Sequence, residues 1–340
     1  MKPVNRPRVR AALSAGLLAS MTWVLSACGG GGGGGEEPPL EMVVSVNGMS
    51  DASNPLTIGE STTINVASGS TLVFTSQEDS RWAPVATNSS FSVDRFSLTE
   101  KAMTVSSNAG GTLLVVFSDA RDATKTASLT VVVAPREFAR VPPREGQFFD
   151  MTVSVTRLNG DVITWDERLV TRLDGAGGSH AEEVWQGDAY DQIVSRELYD
   201  HLGRYLGWDH PHSAVECTYS QPLVYHSYPL HVGKTWSGDA SRSCQGGPAA
   251  FDLAYERRVE AFEPVTVPAG TFNALRVRSE QRNSNVAVAG VPPTYDVVRT
   301  CWWAVDLGRD VKCEYAYLYP AGAADTLTAS VVETLRSHGP

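Results

Sequence analysis

Apolar and polar positions divide this chain into three regimes. The first is a mainly apolar run over residues 11–25, preceded by Lys2, Arg6, Arg8 and Arg10 and by no acidic residue. A basic start followed by an apolar stretch of that length is the layout of a secretory signal, and the stretch is too short for an ordinary spanning helix. The second regime, residues 41–134, alternates in short segments rich in Ser, Thr and Val that are separated by Gly, Asn, Asp and Ser. Its clearest pair is residues 112–118 and 124–133, joined by a turn over 119–123. In the later strand Ala127, Leu129, Val131 and Val133 share one face, with Ser128, Thr130 and Val132 on the other, the pattern of a half-buried antiparallel strand. The third regime, residues 148–337, is a series of hairpins. Asn159-Gly160 is the strongest turn signal, and His201-Leu202-Gly203 and Pro268-Ala269-Gly270 mark two more. Hairpins in series predict one large antiparallel sheet, and a sheet that wide must curl. The fold class expected is therefore all-β and mainly antiparallel, a small β-sandwich over 41–134 followed by a curved antiparallel domain over 148–337.

The end of the first apolar run sets the location of the protein. Leu25-Ser26-Ala27-Cys28 resembles the lipobox of bacterial lipoproteins. That resemblance implies a signal peptide over residues 1–27, cleavage after Ala27, and lipidation of Cys28 by a diacylglycerol thioether and palmitate-type acyl chains. Gly29 to Gly35 and then Glu36, Glu37, Pro38 and Pro39 cannot bury a core, so residues 28–40 read as a solvated tether. Gly29, in place of Asp, favours the cell outer membrane by resemblance to enterobacterial sorting. Membrane contact is then expected through the lipid anchor alone, since no later apolar stretch approaches spanning length.

Charge and cysteines narrow the partners. Removing residues 1–27 takes four basic residues and leaves 24 Lys and Arg against 38 Asp and Glu, a net charge of −14. So acidic a surface argues against nucleic acid and against adhesion to anionic headgroups. Besides Cys28 the chain has Cys217, Cys244, Cys301 and Cys313, an even number that in an oxidising compartment points to disulfide bonds. Cys301 and Cys313 flank a segment centred on Leu307-Gly308 that reads as a hairpin turn, which sets the two sulfurs opposite each other; Cys217 and Cys244 remain as the second pair.

Two resemblances refine the domains. Residues 41–134, closing on Val131-Val132-Val133-Ala134-Pro135, resemble bacterial immunoglobulin-like sandwiches, with Trp82 as a candidate core tryptophan. Residues 135–147, from Pro135-Arg136-Glu137 to Pro142-Pro143-Arg144-Glu145 and beyond, read as a linker. Tyr228 to Trp236 contains Pro229-Leu230-His231-Val232-Gly233-Lys234-Thr235-Trp236. That stretch, Val267-Pro268-Ala269-Gly270-Thr271-Phe272, and Trp303 to Lys312 together look like an uncharacterised group of periplasmic lipoproteins. The resemblance implies a curved half-barrel like those of the LolA- and LppX-like lipid carriers. Its motifs are turn and core residues and carry no reaction.

Chemistry is sparse in the sequence. Gly233-Lys234-Thr235 lacks the glycine that a phosphate-binding loop needs five positions earlier, where Tyr228 stands; His180-Ala181-Glu182-Glu183 lacks a second histidine; no Gly-x-Ser-x-Gly elbow occurs. His210 and His212 flank Pro211 and would face one way on a strand, a metal pair only if a third ligand such as His226 or Glu216 joins them. Trp302, Trp303, Tyr315, Tyr317 and Tyr319 are the candidate ligand-lining residues, because the alternating tyrosines share a face that a curled sheet turns inward. No cofactor and no enzymatic activity are expected. The function expected is a lipid-anchored, non-enzymatic binding module for an apolar ligand or lipid. A structural or adhesive lipoprotein contacting another envelope protein, or a histidine-based metal enzyme, are the alternatives.

Overall fold

In the computed structural model, residues 41–47, 49–50, 56–57, 59–76, 82–87, 95–98, 101–175, 179–187, 189–213, 215–245, 250–288 and 290–340 are described. The signal peptide, Cys28 and the glycine tether lie outside them, as does the side chain of Trp82. Every regular element among the described residues is a strand.

The first ten strands build two sheets. One has the order β2-β1-β5-β8-β7, from Met49–Ser50, Glu41–Val46, Thr71–Ser76, Ala102–Ser106 and Arg95–Leu98, with β3 (Leu56–Thr57) paired to β1. The other has the order β4-β10-β9-β6, from Ser61–Val66, Asp122–Val133, Gly111–Asp119 and Trp82–Thr87. Only β4 and β10 pair in parallel among these strands. The alternation read in β10 is realised, since Ala127, Leu129, Val131 and Val133 are all buried and join Leu113, Val115 and Phe117 of β9 in one core. Leu72, Phe74, Met103 and Val105 supply the facing layer, and Phe74 meets Phe117 edge to face at 5.1 Å. Burying each such side chain contributes about 1.5–3 kcal/mol.

The remaining twelve strands form an antiparallel meander that closes on itself. In order they are β11 (Phe148–Arg157), β12 (Val162–Leu173), β13 (His180–Gln186), β14 (Gln192–Tyr199), β15 (Tyr205–Asp209) and β16 (Glu216–Leu223), followed by β17 (Thr235–Gln245), β18 (Phe251–Val267), β19 (Gly270–Ser284), β20 (Tyr295–Ala304), β21 (Arg309–Leu318) and β22 (Thr328–Gly339). The half-barrel expected from the sequence is corrected here: β22 pairs with β11 along its length, from Thr328 opposite Arg157 to Gly339 opposite Phe148. Closure leaves neither strand with an unpaired edge.

Period two sorts the side chains. Along β18, Phe251, Leu253, Tyr255, Arg257 and Val259 are buried, and Ala254, Glu256 and Arg258 are exposed. Ser237, Asp239 and Ser241 of β17 and Glu280 of β19 are exposed as well. Such a polar exterior belongs to a barrel in water; a membrane-spanning barrel turns an apolar band outward. Both disulfides are cross-strand pairs in register, Cys217–Cys244 between β16 and β17 and Cys301–Cys313 between β20 and β21.

Part of the expected linker is a strap across one end of the barrel, the end that carries the β12–β13, β14–β15, β16–β17 and β20–β21 turns. Phe138 and Leu230 exchange backbone hydrogen bonds of 2.8 and 2.9 Å, and Arg140 Nη1 donates to the His201 carbonyl. The Leu173 N–H donates to Glu145 Oε2 at 2.6 Å. Val141 lies over the β20–β21 turn, where Gly308 has φ +67° and where a Cβ would come within 2.5 Å of the Val141 Cβ. Only glycine suits both the left-handed backbone and the approach. Gly308→Ala is therefore expected to cost about 1–2 kcal/mol and to loosen the strap. Faster tryptic cleavage at Arg140 or Arg144, with a lowered Tm, is the readout; unchanged cleavage would mean that the strap does not depend on this turn.

Candidate functional site

Twelve strands enclose more space than their inward side chains fill, and a cavity of about 620 Å³ remains inside the barrel. Its size falls within the roughly 300–1,000 Å³ of small-molecule sites. Strand register delivers the lining in rows. Arg257 lies opposite Ser279, Ser279 opposite Arg299, and Arg299 opposite Tyr315, so that β18 to β21 send one row into the lumen at a common height.

The wall is charged as well as aromatic. Five arginines and five carboxylates line it together with seven tyrosines, which corrects the expectation of an apolar cavity. Arg299 Nη2 is 2.9 Å from Asp310 Oδ2, and its guanidinium lies 4.9 Å from the centre of the Tyr225 ring. Burial alone would raise the Asp310 carboxyl, but His226, Arg299 and Arg309 outweigh it and hold the group at about 2. Arg309 pairs with Glu182. Arg257, 3% exposed, donates from Nε to Ser279 Oγ at 3.2 Å and from Nη1 to the Val224 carbonyl. Its guanidinium covers Tyr225 at 4.4 Å and Tyr255 at 4.3 Å. Burial lowers Arg257 to about 10, so it remains a cation at neutral pH.

On the opposite wall burial raises Glu197 to about 7 against a hydrogen bond from Tyr205, with Glu182 and Glu167 adding like charge and Arg309 opposing. Burial also raises Glu333, which accepts from Tyr315 Oη at 3.1 Å. The phenols of Tyr199, Tyr205, Tyr225 and Tyr315 are pushed up by burial, which keeps them as neutral hydroxyls able to donate.

Four buried side-chain atoms among the described residues have no hydrogen-bond partner: His180 Nδ1, Arg242 Nε, Arg299 Nε and Asp310 Oδ1. The last has only a 3.3 Å ion contact with His226 Nε2. All four residues line the same cavity. Buried polar groups are rarely left unmatched, so these atoms are open to water or to a polar ligand in the lumen.

The five ligand-lining residues read from the sequence separate. Trp303, 1% exposed, faces the cavity beside Tyr228 and His226, with ring centres 5.7 and 5.9 Å away. Tyr315 and Tyr317 line it too. Trp302 does not: a strand sends neighbours to opposite faces, and Trp302 points outward, donating to Glu263 Oε1 at 2.9 Å under the Lys312 ammonium. Tyr319 lies beyond the cavity and packs 5.1 Å from Tyr295. His210 and His212 gain no third ligand. His210 Nδ1 contacts the Val194 carbonyl, His212 is exposed in the following turn, Glu216 is exposed, and His226 sits with Asp310 in the lumen. The one cluster of metal-ligating residue types among the described residues is Cys301, Asp310 and Cys313, and its two sulfurs are bonded to each other. Lys234, at the phosphate-loop near miss, donates to the Pro229 carbonyl at 2.6 Å.

The residues that sequence reasoning missed are Arg242, Arg257, Arg299, Arg309, Glu182, Glu197, Asp310 and Glu333. A signal existed for several of them, namely a charged residue in phase with buried apolar ones. Val297, Arg299, Cys301 and Trp303 share the inward face of β20, and Val331, Glu333 and Leu335 that of β22.

No family model matches the chain, and no curated protein does. Among solved structures it is similar to one described as an exported protein with a YmcC-like fold from Bacteroides fragilis NCTC 9343, at TM-score 0.37 and 15% identity over 60% of this chain and 100% of that one. A structure described as a lipoprotein from Parabacteroides distasonis ATCC 8503 matches at TM-score 0.36 and 14% identity, again over 60% and 100%. The hypothetical lipoprotein YmcC of Escherichia coli K12 matches at 0.32 and 12%, over 56% and 85%.

Proposed function

We propose that this protein is a non-enzymatic envelope lipoprotein whose barrel holds one small polar ligand in its lumen. The observation that carries the reading is the convergence on one cavity of three buried donors or acceptors without a partner, from β13, β17 and β20, with Asp310 Oδ1 of β21 held only by its ion contact with His226. A wholly apolar ligand that displaced water from the lumen would leave them unmatched, at about 1–3 kcal/mol each. The anchor belongs to the proposal as well: lipid on Cys28, with the glycine arm as spacer and the outer membrane favoured by Gly29. The strand order β1-β5-β8-β7 facing β6-β9-β10 corresponds to the A-B-E-D and C-F-G sheets of immunoglobulin constant-type domains and supports reading the sandwich as an immunoglobulin-like spacer.

Native mass spectrometry of the full exported chain, released as Cys28→Ser, tests the barrel reading. An added mass of roughly a few hundred daltons that disappears on denaturation is expected. An empty chain with both disulfides formed would count against it. The envelope-contact alternative is favoured by one feature, the β11–β12 hairpin, which exposes Leu158, Val162 and Ile163 together at 42%, 61% and 43%. Pull-down with and without Val162→Asp would then become the informative experiment. Cys28→Ser is separately expected to abolish labelling by radioactive palmitate; retained label would refute the anchor.

A further inference from the structure

Arg257 is the most deeply buried cation of the lumen and has no carboxylate partner among the described residues. Its neighbours are matched: Arg299 is paired with Asp310, and Arg309 with Glu182. Yet Arg299 keeps one unpartnered N–H, at Nε. The two guanidinia flank the same ring, Tyr225, at 4.4 and 4.9 Å, and Ser279 stands between them in the strand register. A buried guanidinium without a counter-ion is costly, and folded proteins retain one chiefly where an anion completes it.

Resting on the reading of the lumen as a binding site, we infer that the ligand carries an anionic oxyacid group, carboxylate or phosphate, seated on Arg257 and Arg299. Beyond its bonds from Nε to Ser279 and from Nη1 to Val224, Arg257 has its Nη2 donors for an anion oxygen, and the Arg299 Nε–H lies in the same row. Tyr225 and Tyr315 wall the seat, so the anion is held among aromatic faces with the rest of the ligand in the cavity.

Two fluorescent probes separate the charge from the cavity: 8-anilinonaphthalene-1-sulfonate and N-phenyl-1-naphthylamine, which share an aromatic frame and differ by the sulfonate. The full chain is expected to bind the sulfonate probe roughly ten- to hundred-fold more tightly, and Arg257→Met to remove that advantage while leaving the neutral probe within about two-fold. Arg257→Met removes an uncompensated buried charge, so its Tm and near-ultraviolet dichroism should be no worse than the parent's, and lost binding cannot be ascribed to unfolding. Half-buried Lys234, which does not line the lumen, serves as the control: Lys234→Met should change neither affinity. Equal affinity for both probes, or an equal loss of both in Arg257→Met, would overturn the anion seat and leave the cavity reading standing. Binding of neither probe would remove both. Displacement by octyl phosphate far below the concentration of inorganic phosphate needed would assign a tailed, lipid-derived anion. Equal displacement by the two would assign a small free one.

Discussion

Asp310→Asn is expected to lower the stability of the folded chain by about 3–5 kcal/mol, the cost of leaving a buried cation without its counter-ion. Asp310 is the sole carboxylate paired with Arg299 among the described residues, at 2.9 Å, and it also faces His226 at 3.3 Å. The carboxyl titrates at about 2 in the fold, against 3.8 for the ordinary group, because His226, Arg299 and Arg309 together outweigh its burial. With the folded value depressed, the stabilisation is fully present above the unfolded value and is lost as pH falls through the folded one. Urea unfolding at pH 7 and in acid should therefore show the gap between parent and variant closing only near the acid end. The double change Arg299→Met with Asp310→Leu, which removes both charges, should recover most of the loss. A deficit below about 1 kcal/mol for Asp310→Asn at pH 7 would mean that water in the lumen screens the pair as it does at a surface.

How far the fold could be read depends on whether local or distant residues decide each feature. Asn159-Gly160, His201-Leu202-Gly203 and Pro268-Ala269-Gly270 each fix a turn through backbone conformations encoded in two or three adjacent residues, and all three occur at strand junctions. The Cys301–Cys313 bridge follows from hairpin geometry alone. Closure of the barrel is different. It requires Met151 to find Leu335 across the whole domain, and nothing in either strand distinguishes a partner at that distance from a free edge. The strap reads as a linker in the sequence for a similar reason. Its Pro and charged residues are those of a solvated segment, and its packing depends on Gly308 and Gly203, which lie far away in sequence.

The site was less legible than the fold because it breaks the pattern by which the fold is read. Tyr315 and Tyr317 could be placed inside since aromatic alternation and burial agree. Arg257 follows Phe251, Leu253 and Tyr255 in phase on β18, yet the Arg257-Arg258 pair reads as polar surface unless the phase is carried through. Adjacent Trp302 and Trp303 posed the reverse difficulty: one had to face outward, but local sequence does not set the choice. Trp303 keeps the inward phase of Val297, Arg299 and Cys301, and a bulge on β21 brings Asp310 opposite it. Charged residues that hold the inward phase of a strand are where folding preference yields to something else. In this barrel they gather around one cavity.

Glu197 gives that conflict a measurable pH dependence. Its carboxyl is raised from 4.5 to about 7, first by burial and then by Glu182 of β13 and Glu167 of β12, while the Tyr205 hydroxyl of β15 and Arg309 of β21 pull the other way. A raised folded value means that the neutral form is favoured by folding. Its stability contribution is complete below about 4.5 and is lost as pH rises to about 7, the sign opposite to that of Asp310. Glu333 is raised by burial in the same direction and adds to the loss. The full linkage for Glu197 would be about 3 kcal/mol, but the side chain opens onto a cavity that admits water, so about 1–3 kcal/mol is expected. Glu197→Gln keeps the shape and cannot ionise. It should unfold with the parent's urea midpoint at pH 4.5 and at a clearly higher midpoint at pH 8. Equal midpoints at both pH values would place Glu197 in effectively bulk water. A lower midpoint for the variant at pH 8 would mean that the ionised carboxylate is itself paired, turning the acidic wall from a burden on folding into part of its support.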